Sequence, residues 1–560
     1  MSGGGEAARV YLAAIRREAE RVLGLLDREE FSPTFGCMDR TFWAWKFTDF
    51  PAARFQEGLC FLAFLHSTAF EGNPHHRHPR LLRWIAGGFD FWARIQRRSG
   101  DFDEAYPFER SLAATAFTTF YLGEAWELLD GALPPDSGAR FRTAVARAAG
   151  WLCRNDETHG FLSNHLAAAA AALRHAHRIT GEERFAKRSD FFLDRVLSHQ
   201  SPEGWYEEYG GADPGYQTHG SFYLARLLEM SGEARLAGSL ARSFEFLAHF
   251  VHPDRSLGGE YASRNTKTYY PAAFERMADR DPRAAWIASE MLPAVEGRSA
   301  AGLGSVDAFN TFPLLNNYVS AYLAAARRSE RPASTGPSPE PAWIHFPAAG
   351  ILKVRKRRYD AVVGLAKGGV VQVFDRERGK LVFSSCGYVG RRLDGSTISS
   401  QWPDPGRRVD LAGDEVRIEG RFFRVSRPVM SPMRFLAFRL FATTVGRLPA
   451  LARWLKKVLV RTLIYRSREV DLRLSRQIRF GEGGLEIRDR LVGGPGLMIR
   501  DLAEMETFTT IHMGSARYFV PGELACAREP EGLGAVDPST LDGGATRTRR
   551  VDLDADPGGP

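Results

Sequence analysis

Two loop stretches collect side chains that can move a proton next to a carboxylate. The first is Gly160-Phe161-Leu162-Ser163-Asn164-His165, and the second runs from Gly204-Trp205-Tyr206-Glu207-Glu208-Tyr209 to Asp213-Pro214-Gly215-Tyr216-Gln217-Thr218-His219. An amide can hydrogen-bond a substrate carboxylate and draw charge from it. A neutral imidazole or a phenolate can take a proton, and a phenol can return one to a leaving oxygen. Asn164, His165, Tyr216 and His219 are therefore the candidate catalytic groups, with Trp205 and Glu208 as candidate binding groups beside them. Each also has a plain structural role open to it. Asn164 suits a helix N-cap, and Tyr216 suits packing at a helix start. His159, His175 and His177 read as structural or surface residues.

Three further loops offer binding chemistry. Residues 39–51 mix aromatic and charged side chains, and Arg54 follows. There Trp43 and Trp45 can stack on sugar rings, while Arg40, Lys46 and Arg54 can hold carboxylates. Residues 101–110 contain Asp103, Tyr106 and Glu109. Tyr106 and Glu109 are candidate binding groups. A carboxylate pair is also what a glycoside hydrolase uses, although acids at a helix start are ordinary capping residues. In the third loop, Arg264, Asn265 and Tyr269 can extend a subsite for a polyanion.

These loops need a scaffold, and the texture of the chain supplies two. Apolar residues recur at helical spacing from residue 6 to about 330, in runs separated by short Gly-, Pro- and Asp-rich loops. Many helices of similar length with short connections make stacked helical hairpins. A linker rich in Pro, Ser and Gly covers about 331–344, and short β-branched runs bounded by turns follow it. The fold class expected is α+β multidomain: an incomplete α/α toroid over 1–330, then an antiparallel β-sandwich over 345–530. Residues 531–560, rich in Gly, Asp, Pro and Thr, read as a disordered tail. Residues 433–464 break the β texture with seven Arg or Lys, no acid and a helical apolar pattern. They suit either an interfacial segment on an anionic membrane or a helical insertion on the sandwich with snorkelling arginines.

Bulk properties narrow the function. The net charge of +8 over 560 residues favours acidic partners. Neither zinc-finger spacing nor an RNA-binding consensus occurs, so nucleic acid is not the expected partner. Five scattered Cys without a CxxC argue against a disulfide framework and a thiolate zinc site. The N-terminus reads as an amphipathic helix rather than a signal peptide, which points to the cytoplasm, with peripheral attachment at the inner membrane as an extension.

The Ser163-Asn164-His165-Leu166 element, the Glu203–Gly220 stretch and the Phe346–Ala366 strand pair resemble the heparinase II/III-like polysaccharide lyases. The resemblance implies a toroid-plus-sandwich enzyme that cleaves uronate polysaccharides by β-elimination. It implies that Asn164 neutralises the uronate carboxylate with His165 beside it, and that Tyr216 is the rim tyrosine acting as acid. One departure is plain. The family's Gly-His-x-His-x-Asp element is replaced by residues 368–375, Gly-Gly-Val-Val-Gln-Val-Phe-Asp, with Gln372 and no His. Gln372 cannot be a base, so either His165 or His219 fills that role or the reaction differs, and no metal or other cofactor is implied. The partner expected is an anionic polysaccharide or lipid-linked glycan. A uronyl C5-epimerase shares the first proton abstraction and is the nearest alternative. A hydrolase using Asp103 or Glu109, and a non-catalytic glycan-binding or assembly protein at the membrane, complete the set.

Overall fold

The computed structural model describes all residues except 1–2, 158–159, 298–299, 331, 426–428, 453, 455–467, 511–513, 516–517, 521–522, 524–535 and 554–560. His159, most of the second half of the basic 433–464 segment and both ends of the expected tail lie outside the described residues.

The helical part opens with α1 (Gly3–Arg16), α2 (Ala19–Leu25), α3 (Gly58–Ser67) and α4 (Pro79–Ile95). It continues through α5 (Leu112–Leu129), α6 (Pro135–Arg154), α7 (Ser163–Thr180), α8 (Glu183–Ser198) and α9 (Pro214–Ser231). It ends with α10 (Ala234–Ala248), α11 (Ala272–Met277), α12 (Pro282–Gly297) and α13 (Ala308–Ala326). Alternate helices form the inside: α3, α5, α7, α9, α11 and α13 each touch the next, and α13 returns to α3. Contacts therefore run from each of these helices to the next and back to the first. Closure places α13 against α3, a pairing remote in sequence that no local pattern encodes.

Local chemistry sets the inner helices. Asp213 caps α9 by accepting from the Tyr216 N–H at 2.9 Å, Pro214 occupies the first turn, and Gly232 ends the helix at φ 68°. The α7 interior carries six consecutive alanines, Ala167 to Ala172, all fully buried. Small side chains let α7 sit closely between α5 and α9. Leu162 before α7 bridges Glu208 before α9, so the loops that precede these two helices lie together.

The β part comprises two antiparallel sheets. The first holds β1 (Ala342–Phe346), β2 (Ile351–Arg355), β3 (Tyr359–Gly364), β4 (Val370–Asp375) and β5 (Lys380–Ser385), paired in that order. The second draws on β6 (Tyr388–Arg392), β7 (Thr397–Ser399), β8 (Arg408–Ala412), β9 (Glu415–Val425), β10 (Glu469–Phe480), β11 (Gly484–Gly493), β12 (Ile499–Glu504) and β13 (Ala545–Asp552). Its order is β12-β6-β7-β9-β10-β11-β13, with β8 also on β9. Burial explains the sequence texture. β2, β3 and β4 are buried at every position. One face, with Val363, Val371 and Val373, meets Ile418, Ile478 and Ile487 of the second sheet. The other, with Ile351, Val362 and Val370, joins the core of the helical part. β10 has one solvated face and alternates cleanly between buried and exposed.

Two boundaries differ from expectation. β1 begins at Ala342, inside the expected linker. Ala545–Asp552, inside the expected disordered tail, is a strand paired with β11. The Gly-rich run before it masked an alternating Thr/Arg/Val pattern. The basic segment begins as α14 (Pro432–Thr443), inserted between β9 and β10. Among the described residues, no helix is long and apolar enough to cross a membrane.

Candidate active site

The rim of the inner ring, where α7 and α9 begin, gathers the predicted catalytic residues. Asn164 sits in the first turn of α7 and is fully buried. Its backbone N–H donates to Glu208 Oε1 at 2.8 Å, and its amide Nδ2 donates to Glu208 Oε2 at 3.1 Å. Glu208 therefore fixes the amide, and Asn164 Oδ1 has no hydrogen-bond partner. Oδ1 can only accept, so a substrate carboxylate would have to meet the second hydrogen of Nδ2. Burial pushes the Glu208 carboxyl up to about 7, while Arg264 and the Asn164 N–H pull it down.

Arg264 joins this carboxylate to Tyr216. Its Nη1 lies 3.4 Å from Glu208 Oε2, and its guanidinium stands 3.6 Å over the Tyr216 ring and 4.7 Å from that of Tyr209. The facing carboxylate and phenols hold the Arg264 cation more firmly, against the cost of burial. The Tyr216 hydroxyl donates to Ser515 Oγ, which also lies 3.4 Å from Arg264 Nη2. Asp213 ties the two loops together, since its Oδ2 accepts from the Arg264 N–H at 2.9 Å. Gly215 allows the approach: a Cβ there would lie 2.5 Å from the Thr266 carbonyl oxygen.

The two candidate histidines differ. His165 Nδ1 lies 2.6 Å from Glu157 Oε2, and the Glu157 side chain is almost wholly buried. A carboxylate accepts, so this contact orients the ring with an Nδ1 hydrogen toward Glu157. His219 is buried, stacked at 4.1 Å on Tyr270, with Nε2 2.8 Å from the Tyr223 hydroxyl. Burial, with the Arg54 and Arg264 cations, holds it well below the ordinary imidazole range. Its Nε2 is engaged with the Tyr223 hydroxyl, and which of the two donates depends on the ring's tautomer.

Arg54 completes the rim. It pairs with Glu57 and, at 3.1 Å, with Glu104, and its guanidinium lies 4.6 Å over Phe117. Phe117 in turn packs edge-on to His165 at 5.4 Å. Asn164, His165, Tyr216, His219, Arg54, Glu208 and Arg264 thus form one connected cluster.

Other predicted residues lie outside it. Arg40 donates to the Gly24 carbonyl at 2.8 Å and covers Trp43 at 5.2 Å, and Trp43 donates to the Leu25 carbonyl at 2.8 Å. Trp45 and Lys46 are exposed on that loop. Trp205 donates to Glu203, whose carboxylate accepts from Ala348 and Ala349, so this corner joins the two halves of the chain. Asn265 donates to Thr509 and accepts from Lys367 at 2.8 Å, another joint. Tyr269 is fully buried and stacked at 5.6 Å on Phe274. Asp103 accepts from the Phe108 and Arg110 N–H groups and pairs with Arg97. Glu109 accepts from the Glu104 and Ala105 N–H groups. Both carboxylates serve the loop that holds them, which removes the basis for a hydrolytic pair. Tyr106 meets Phe438 of α14 at 5.0 Å.

Gln372 on β4 donates to Glu260 at 2.9 Å and performs a joining role at the position where a histidine was missed. Two contributors had no sequence signal. Glu157 precedes α7 in an ordinary polar loop, and Ser515 belongs to a stretch assigned to the sandwich.

Among the described residues, one group could offer a metal three donors within 4.8 Å: Glu124, Glu127 and His175. Arg226 already fills it, with Nη2 2.7 Å from Glu124 and 3.1 Å from Glu127. His175 lies about 16 Å along α7 from Asn164, so the group is remote from the rim. The donor set is satisfied by a resident cation and does not fit a metal.

No protein-family model matches the chain, and no curated protein matches it in sequence. Solved structures do resemble it. A Streptomyces coelicolor A3 chondroitin AC lyase, in complex with chondroitin sulphate, aligns at TM-score 0.55 and 12% identity, covering 90% of this chain and 68% of its own. A Paenibacillus xanthan lyase aligns at 0.53 and 8%, covering 90% of this chain and 47% of its own. Heparinase III aligns at 0.51 and 9%, covering 90% and 72%. This chain thus spans about half the length of the xanthan lyase. The fold of this chain, helices followed by antiparallel sheets, is similar to that of these solved structures.

Proposed function

We propose that this chain is a heparinase II/III-like lyase that cleaves a uronate-containing anionic glycan, polymeric or lipid-linked, by β-elimination. On this reading the closed ring of helices is the catalytic toroid and the two sheets are the accompanying sandwich. The observation that carries it is the junction of Asn164, Glu208, Arg264 and Tyr216 in one hydrogen-bonded and cation–π set.

Asn164 and the Arg54 and Arg264 cations draw charge from the uronate carboxylate and so acidify the C5 hydrogen. The Glu157-oriented His165 takes that proton through Nε2. The C5–H electron pair forms the C4=C5 double bond, and the C4–O4 bond breaks. The Tyr216 hydroxyl gives its proton to the departing O4, while Arg264 stabilises the negative charge left on the phenol. Glu208 touches no reacting atom and acts by positioning Asn164. The similar structures support this reading through the shared fold, and one of them holds chondroitin sulphate.

The test is the ultraviolet absorbance of the unsaturated uronate, measured with chondroitin sulphate, xanthan and other uronate polymers. Tyr216→Phe is expected to lower kcat by about 10²–10⁴-fold, with KM nearly unchanged. Full activity in that variant would refute the mechanism.

A further inference from the structure

The helix inserted between β9 and β10 carries a surface unlike that of the other described helices. Of the 19 exposed large hydrophobic side chains among the described residues, ten lie between Val429 and Trp454. Met433, Leu436, Leu440 and Leu448 are each more than half exposed. On α14 only Ala442 is buried, so the helix lies on the protein rather than in it. The charge pattern is equally one-sided. No Asp or Glu occurs between Glu419 and Glu469. Arg434 and Arg447 are exposed among the apolar side chains.

The position of this helix is fixed by its few inward contacts. Arg439 pairs with Asp49 at 2.8 Å and covers Phe50 at 5.3 Å. Phe438 meets Tyr106 at 5.0 Å, and Arg110 Nη2 donates to the Arg447 carbonyl at 2.6 Å. One of the two anchoring loops reaches the cleft rim, since its Glu104 binds Arg54 at 3.1 Å. The 39–51 loop adds its own exposed pair, Trp45 and Phe47, stacked at 6.0 Å.

We propose that α14, the turn after it and the Trp45–Phe47 tip form a docking face that seats the cleft rim on an anionic lipid surface. Exposed apolar side chains beside arginines, without acids, gain twice at such a surface. The apolar atoms enter the headgroup boundary while the guanidinium groups meet lipid phosphates. A second copy of the chain is a poor occupant, because it would bring two acid-free arginine faces together. The face does not depend on the reaction assigned to the cleft.

The test is flotation of the full chain with vesicles of phosphatidylcholine alone or mixed with phosphatidylglycerol. Binding to the mixed vesicles is expected, with much less to the neutral ones and release as salt rises. Leu436→Glu/Leu440→Glu is expected to abolish flotation while keeping the wild-type melting temperature. Arg434→Glu is expected to weaken binding by at least about fivefold, the effect of one basic residue near such a surface. Flotation of the double variant like wild type would overturn the proposal. So would equal binding to both vesicles, or a wild-type chain that ignores vesicles and sediments as a dimer. The assay contains no glycan, so its outcome is separate from that of the lyase test.

Discussion

At Glu208 a buried carboxyl faces both a cation and the amide it orients, and its proton equilibrium has a measurable consequence. Its ionisation is pushed up from 4.5 to about 7, chiefly by burial, and Glu57 beside Arg54 behaves likewise. A group raised in this way stabilises the fold fully below its unfolded value, and that contribution is lost as pH rises through about 7. Thermal melts across this window are expected to show wild-type stability falling with pH. Glu208→Gln is expected to reduce the slope, and an unchanged slope would contradict the assignment. The sequence made Asn164, His165 and Tyr216 visible because their chemistry is distinctive and they stand at helix starts. Glu157 and Ser515 were not visible. A carboxylate in a polar loop and a serine in a β-rich stretch have no spacing that announces a partner. His219 was equally visible by type, while its contact with Tyr223 was not.

Elements place these residues, and two of them can be tested alone. The start of α9 approaches the 264–266 loop because position 215 has no side chain. Gly215→Ala would set a Cβ 2.5 Å from the Thr266 oxygen, so the helix must shift. Moving Tyr216 from Arg264 by about 1 Å is expected to cost about 10²-fold in activity. Retained activity would show that the spacing is immaterial. The second sheet depends on a buried network. Arg476 is fully buried and bonds Asp489 at 2.8 Å and Glu504 at 3.0 Å. Arg549 bonds the same two carboxylates. Arg476→Ala leaves buried carboxylates undercompensated and is expected to cost about 3–5 kcal/mol in urea unfolding. A loss near zero would mean that the sheet relaxes around the gap. Helices and strands were legible because apolar periodicity reports burial, as in β10. β13 was missed because the glycines before it dominated a short alternating strand.

For the whole molecule, the change from helical to alternating texture near residue 340 was legible, and the chain does pass there from α13 to β1. The closure of α13 on α3 was not, since it pairs distant helices through shape alone. Nor was the joint between the halves. Lys367 reaches the Ala262 carbonyl at 3.0 Å and Asn265 at 2.8 Å, Gln372 reaches Glu260, and Ser515 reaches Tyr216. Position 372 therefore lies where the halves are joined by amides and a lysine, and the rim carries a His165–Glu157 pair. On the proposed function, this rim removes a C5 proton from a uronate and expels O4. The direct measurement is incubation of the 560-residue chain with a panel of uronate polymers, following ultraviolet absorbance and chain length together. At least one polymer is expected to shorten as the unsaturated uronate accumulates. Shortening without unsaturation, or C5 exchange with deuterated water without shortening, would contradict it.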